Sequence, residues 1–547
     1  MKKVKRITAV LIMLALCITI AACNGSTTPD SSSGDTTNTG GTPATGGPTA
    51  TEGVLNPGVV IPPPEGDDVQ FADTIDIILQ ANVTVLDLFQ PGAIAAVRVI
   101  YGCIYDKLVV RTPDGEYVPE LATSWETDDM QTWTFYLRND VTFHNGDKFT
   151  AQDIIDTVML SKEAPGSLSF DAWRNVESVT AIDEYTVQIN LDATNADFLY
   201  LISVPGGGII SKAARELDPI TGAWVGTGAF YIDEFVSGEH ITLIRNDNYW
   251  GEMPLTRQLY YHYVPEIAAR AIMLHNGENH VCLGIGPEDL DSFVGNPGFT
   301  IYPVISNSVH NLAFSLVNPI TGDLNFRLAV SHALERSELC TVGVGAWGIP
   351  VTDGAIWGDT TEFRNTDIPL LPYDLDLARE YLAKSSYNGE ELEIICAEGA
   401  LHLSAQMIQT QLGMIGIKTR VSLLDPVTLA GVTVYGSDQV DMVHYVSPFD
   451  LSAASARRMF YPGGSSNRAS YNNPTVNELL DLAPTIADPA EREAIYRQIQ
   501  EIVVEEIPYI NLYYRIQTVV TSSAVGGILT NADMNYDFRG IFMTLGY

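Results

Sequence analysis

Alternating polar and bulky residues recur along the first half of the chain, in segments whose period of two predicts half-buried strands. Thr132–Arg138 is the clearest, and Thr74–Leu79, Tyr185–Leu191 and Ile241–Arg245 read the same way. The later half carries helical periodicity. Asp488-Pro489-Ala490-Glu491 supplies a cap residue, a first-turn proline and an acid at the third position. Ile495, Ile499, Val503 and Ile507 then recur on one face until Pro508 stops the run. Ala405–Ile415 is helical, Gly416 ends it and Ile417–Leu423 returns as a strand, which predicts parallel α/β units. Phe326–Leu339 is helical and runs into a glycine-rich stretch. The pattern as a whole is that of an α/β chain.

The amino-terminal end departs from this. A basic start, Met1–Arg6, precedes the apolar run Ile7–Ile20, which is too short to span a bilayer of about 30 Å, and then Ala21-Ala22-Cys23. That order describes a secretory signal peptide over residues 1–22. Residues 24–53 contain no aliphatic side chain larger than Ala and no aromatic, so they cannot offset the entropy of ordering. Residues 23–70 are therefore read as a disordered tether, of about 40 Å end to end.

A formal charge of −37 excludes nucleic acid and anionic membrane surfaces as partners of the protein surface. Cys103, Cys282, Cys340 and Cys396 show no Cys-x-x-Cys spacing. They are read as buried free thiols in preference to two disulfides, which would allow three connectivities. No zinc-protease, serine-hydrolase or phosphate-loop motif occurs. Gly343-Val-Gly345-Ala-Trp-Gly348 has the spacing of a dinucleotide loop. It follows a helix rather than a strand, however, and is read as a loop. The nine histidines are scattered and fit no metal template. An exported body of this size without evident chemistry points to binding rather than catalysis, with no cofactor or metal.

Three runs of words carry a resemblance. They are Tyr117-Val-Pro-Glu-Leu-Ala-Thr-Ser-Trp125, Val141-Thr-Phe-His144-Asn-Gly146-Asp-Lys-Phe-Thr-Ala151, and Gly226-Thr-Gly-Ala-Phe230 ahead of Tyr249-Trp250. Phe326–Leu334, Tyr471-Asn-Asn-Pro474 and Ile507-Pro-Tyr-Ile510 follow in order. The chain thereby resembles the family 5 extracellular solute-binding proteins, which serve oligopeptide, dipeptide and nickel ABC importers. Within these words Trp125, His144 and Trp250 are read as packing and turn residues. The Ala21-Ala22-Cys23 ending likewise resembles a bacterial lipoprotein box, in which Cys23 takes a diacylglyceryl group.

The resemblance implies a periplasmic-binding-protein-like α/β fold of the three-domain type II (cluster C) kind, with two lobes and a hinge. Domain I would comprise residues 71–101, 204–300 and 516–547, domain II residues 102–203 and domain III residues 301–515. It implies a monomer, lipid-anchored on the extracytoplasmic face, whose partners are a small solute and ABC permease subunits. The membrane would be met through the lipid alone. In the peptide binders an extended ligand pairs with backbone on two walls. Here one wall matches Ile94-Ala95-Ala96 and the other His444-Tyr445-Val446-Ser447. Peptide binders carry Gly-Trp and then an Asp for the α-ammonium on that second wall. This chain has His444-Tyr445, places Pro448 at the ungapped Asp position, and offers Asp450 two residues on. Peptides are the expected solute. An oligosaccharide stacked on Tyr445, a sensing role and, less well supported, nickel binding or an extracellular hydrolase stand as alternatives.

Overall fold

A computed structural model describes Leu55 and residues 59–545, except 67–68, 80, 91–97, 113–114, 426–427, 430–439, 448 and 531–535. Residues 1–22, read as a signal peptide, Cys23 and most of the segment read as a tether lie outside the described residues. The tether's distal end does not behave as read. Leu55 donates its N–H to the Ile301 carbonyl at 3.0 Å, Gly527 donates to Ile61, and both side chains pack on the core. They are two of several aliphatic residues in this segment, and burying them offsets part of the cost of fixing that backbone.

Strand β1 (Thr74–Leu79) leads through helix α1 (Arg98–Ile104) into a short hairpin, β2 (Val109–Arg111) and β3 (Tyr117–Pro119). A four-stranded antiparallel sheet follows, in the order β4-β5-β7-β6 (Ala122–Glu126, Thr132–Leu137, Thr186–Leu191, Val176–Asp183). The predicted alternation of β5 holds: Trp133, Phe135 and Leu137 turn inward. Helix α2 (Ala151–Lys162) covers the sheet. Its start is fixed by a capping box in which Thr150 and Asp153 satisfy each other's backbone donors.

The chain then returns beside β1. β8 (Phe230–Val236), β9 (His240–Arg245) and β10 (Gln258–Tyr263) form a meander whose last strand runs parallel to β1, and β11 (Val281–Leu283) pairs with the other side of β1. β12 (Phe299–Phe314) departs from there and enters the second half of the molecule. That half holds helices α3 (Leu324–Ala333) and α4 (Arg336–Val344), and strands β13 (Gly348–Pro350) and β14 (Glu391–Cys396). Helix α5 (Ala400–Gly413), β15 (Lys418–Leu423), β16 (Met442–Ser447) and helix α6 (Pro489–Glu506) follow. β17 (Tyr509–Ser522) runs back to the start. All described residues belong to one compact unit, Gly46–Tyr547.

One sheet therefore crosses both halves, in the order β15-β14-β16-β12-β17-β11-β1-β10-β9-β8. β12 and β17 pair with each other through nearly their whole length and are the strands common to both ends. Their register breaks between Ile305 and Val309, so Ser306-Asn307-Ser308 bulge out at the passage from one half to the other. The Asn307 amide oxygen accepts from both the Thr360 N–H and its hydroxyl at 2.8 Å, which ties the bulge to the loop before Thr361.

Separate cores flank each part of the sheet. Ile75, Ile77, Leu243 and Tyr261 pack on one face of the first half, and Ile78, Cys282 and Val520 on the other. In the second half Ala313 and Val443 belong to one core, Leu312 and Met442 to its opposite. The small sheet buries Trp173, Phe198 and Ile154 in a core of its own. Each fully buried aromatic of this kind contributes roughly 2–3 kcal/mol.

Two helix readings are corrected. Phe326–Leu339 is not one helix: α3 stops at Ala333 and α4 restarts at Arg336, because the Glu335 carboxylate accepts the Ser337 N–H and caps a new start. Gly343 lies in the last turn of α4, and Gly345, at φ 61, caps it, so the glycine stretch begins inside the helix rather than in a loop. Ile507 also leaves the α6 face, since it takes the left-handed conformation (φ 45) that closes the helix.

The four cysteines are buried and unpaired. Burial pushes the Cys103 and Cys282 thiols up to about 12, and Cys340 and Cys396 to about 11. None carries appreciable thiolate at neutral pH. Iodoacetamide labelling read by peptide mass spectrometry is expected to leave all four unmodified in the native protein and to modify all four in denaturant. Fast native labelling of any one would contradict this packing.

Candidate functional site

Two chain crossings join the β1 region to the small sheet, and the sequence words converge on them. Lys107 follows α1 closely, and the return passes through Gly226-Thr-Gly228. His144 stands against that return. Its Nδ1 accepts the Gly226 N–H at 3.2 Å, so the ring proton is on Nε2, which donates to the Gly228 carbonyl at 3.0 Å. Burial holds this ring down to about 4, neutral at physiological pH. Gly226 and Gly228 are required because a Cβ on either would strike the backbone of Cys103 or Ile104.

Asp106, wholly buried, collects the remaining contacts. It accepts from the Thr227 hydroxyl at 2.9 Å, the Trp250 indole N–H at 2.8 Å and the Tyr249 hydroxyl at 3.2 Å. Arg539 lies 3.7 Å from it and reaches Glu120 at 2.6 Å and Asp537 at 2.7 Å. Burial, with Glu120 second, pushes Asp106 up to about 6. Trp250 and His144 thus hold the crossing together, as read. Trp125 packs on the core of the small sheet.

The small sheet meets the second half along a polar seam. Arg111 Nη2 lies 3.2 Å from Glu362, the Ser452 hydroxyl donates to Asp197 at 3.2 Å, and the Ala196 N–H donates to the Pro484 carbonyl at 2.9 Å. The second half's side of the seam is two loops laced together. Glu362 N–H donates to Leu451 O, and the Thr361 hydroxyl to Asp450 O, both at 2.8 Å. Phe363 takes a positive φ of 58, held by stacking on Tyr496 at 5.7 Å, with Arg492 over its ring.

Asp197 is 6% exposed. One of its oxygens, with Arg111 Nε and Arg492 Nε, is buried without a hydrogen-bond partner. Burial raises Asp197 against the pull of Arg492, and burial likewise raises Glu362 against the pull of Arg111. An interface with this many half-satisfied polar groups is not a well-sealed core. Such a seam is suited to parting and re-forming.

The expected wall residues fall into three groups. Ile94, Ala95 and Ala96, and also Pro448, lie outside the described residues. The His444 and Tyr445 side chains are turned into the second half. His444 is fully buried and both its ring nitrogens are engaged. Nδ1–H donates to Asn311 O at 2.9 Å, and Nε2 accepts from the Ser404 hydroxyl at 2.6 Å. Burial holds the ring down to about 4. The Tyr445 hydroxyl donates to Ser466 O at 3.3 Å, and its ring packs in the core on the other face. Ser447 accepts from the Asn311 amide. Val446 alone of the strand is exposed, and the Asp450 carboxylate pairs with Arg458 at 2.8 Å, both partly exposed.

Past Val443 the strand therefore offers unpaired main chain rather than side chains, with Val446 its one exposed residue. It pairs with β12 from Met442 to Ser447, but with β14 only at Met442 and Val443. From His444 to Ser447 its second edge has no strand beside it among the described residues. An extended ligand could add there. Arg111, Asp197, Glu362 and Arg492 were not singled out from sequence, since they come from separate segments without a shared motif. Among the described residues no three His, Cys, Asp or Glu stand close enough to hold an ion, and no helix is long and apolar enough to cross a membrane.

Comparison with known proteins gives a consistent picture. The model for bacterial extracellular solute-binding proteins, family 5 Middle, matches residues 116–467. The nickel-binding periplasmic protein of Escherichia coli K12 is 24% identical over 460 residues, covering 78% of this chain and 86% of that protein. Heme-binding protein A of Haemophilus influenzae is 26% identical over 493 residues, covering 80% and 86%. The solved structure of periplasmic binding protein DppA from Helicobacter pylori, in complex with the peptide STSA, superposes with a TM-score of 0.73 at 24% identity, covering 86% of this chain and 98% of that one.

Proposed function

The chain belongs to the bacterial extracellular solute-binding proteins of family 5, and from that premise we propose that it captures short peptides between its two lobes for an ABC importer. Members of this family bind solutes rather than transform them. The relatives' own ligands range from nickel and heme to a peptide, so membership alone does not select among them.

The observation that carries the peptide reading is the free edge of β16 from His444 to Ser447. Main-chain pairing there satisfies a peptide's N–H and C=O groups whatever its side chains are. Each such group left unpaired on burial would cost about 1–3 kcal/mol. Beside that edge, the Asp450–Arg458 pair offers an acceptor for an α-ammonium and a donor for a carboxylate. The buried Tyr445 ring offers no open face for stacking a sugar. With both ring nitrogens engaged, His444 is not free to bind nickel.

On this reading the seam parts to admit solute and re-forms around it, with Ser306-Asn307-Ser308 as the flexing point. Solute shifts the protein to the closed state only by binding it more tightly than the open one. The Cys23 sequence supports a lipid anchor on the extracytoplasmic face, which holds a monomeric body beside the permease. Mass spectrometry of small molecules released on denaturing the purified protein is expected to give a mixture of short peptides. A single sugar, a heme or a metal chelate as the sole released species would overturn the peptide assignment.

A further inference from the structure

A pocket of ≈ 50 Å³, half open to solvent, is lined by α3, α4, the end of α6, β17 and the loops after β13, and shares no lining residue with the seam. Arg336 lines it and is 7% exposed. Its Nε donates to the Asn511 carbonyl at 3.0 Å and Nη2 reaches the Ser331 hydroxyl at 3.5 Å. Nη1 has no hydrogen-bond partner, and no carboxylate lies within ion-pair distance of the guanidinium, among the described residues. The adjacent acid, Glu335, is committed to capping Ser337. Asp353 also lines the cavity, but its carboxylate is paired with Arg364 at 2.9 Å.

A cation so placed is held by neutral acceptors alone. Burial holds this guanidinium down to about 10, with the charge of neighbouring Glu335 opposing, and a buried cation without a directly paired carboxylate is costly to keep. The rest of the wall decides what kind of anion fits. Val351, Ile356, Leu370 and Ile510 are apolar, and the volume admits about four water-sized atoms. A multiply charged anion would find a single donor group and Asp353 close by. A monoanion with a short alkyl end finds a forked donor and a greasy wall.

We propose that this cavity binds a short-chain monocarboxylate of acetate size, its carboxylate on Arg336 and its alkyl end against the apolar wall. The site lies within one half of the molecule, so it fills whether or not the cleft is closed. The test is ¹³C-acetate NMR on the whole exported chain, with sodium chloride replacing acetate at equal ionic strength as control. Saturable broadening of the acetate line at one site per chain is expected, competed by propionate and not by chloride. Arg336→Gln should weaken it at least tenfold. Ala355→Leu keeps the cation but occupies the space, and should cause the same loss in a protein that still melts cooperatively. Acetate that behaves as chloride does, or binding that survives Ala355→Leu and Arg336→Gln alike, would overturn the assignment.

Discussion

Replacing Arg539 by Met is expected to destabilise the fold by about 3–5 kcal/mol, the cost of breaking a buried ion network from one side. Among the described residues, Arg539 alone touches Asp106, Glu120 and Asp537 together, and it joins the carboxyl-terminal segment to the first chain crossing. Burial by itself would raise Glu120 and Asp537; the nearby cations hold both below the ordinary range. Without Arg539, the buried Asp106 and Glu120 and the partly exposed Asp537 face Lys107, whose ammonium lies 3.3 Å from Glu120. Urea unfolding should show a much lower midpoint with an unchanged slope. Adding Glu120→Gln should restore part of the loss, because it removes one of the stranded charges. An unchanged midpoint in Arg539→Met would show that the network contributes nothing net.

Solute affinity is expected to be tighter at pH 5 than at pH 8, through the seam. In the open form Asp197 and Glu362 face water at ordinary values, near 4. On closing, burial raises both, with Arg492 and Arg111 opposing. A carboxyl whose pKa rises on closing takes up a proton there. Its contribution to the closed form is complete below the ordinary value and is lost as pH rises through the raised one. Each unit of rise corresponds to about tenfold in affinity. Tyr117 and Tyr496 also face these acids, but burial lifts both out of the range concerned. Titration calorimetry with the released peptides at both pH values is the measurement. Asp197→Asn should flatten the difference by bringing the pH 8 affinity toward the pH 5 value. Equal or weaker binding at pH 5 in the unaltered protein would rule this out.

How much was legible in the sequence follows from what each signal depends on. β5 and the start of α6 were readable because alternation and capping are local. The break between α3 and α4 was not, since it turns on whether Glu335 caps its own successor or extends a helix of similar composition. The wall was half readable. The family word pointed to β16, but that strand is buried on both faces, so a period of two says nothing about which of its side chains a ligand would meet. Its aromatic and imidazole groups went to the cores, and what it leaves unpaired beyond Val443 is main chain. The seam was not readable, because Arg111, Asp197, Glu362 and Arg492 become neighbours only when the halves meet.

The pairing of β12 with β17 has a kinetic consequence. Residues 299–305 pair only with residues 516–522, residues 309–313 pair with both β16 and β17, and β17 also closes the first half by pairing with β11. Neither half of the sheet is complete until nearly the whole chain is available. Folding that must wait on contacts so distant in sequence is slow. Until β17 arrives, both halves expose an unpaired strand edge, and in that interval the chain is open to translocation, to chaperones and to aggregation alike.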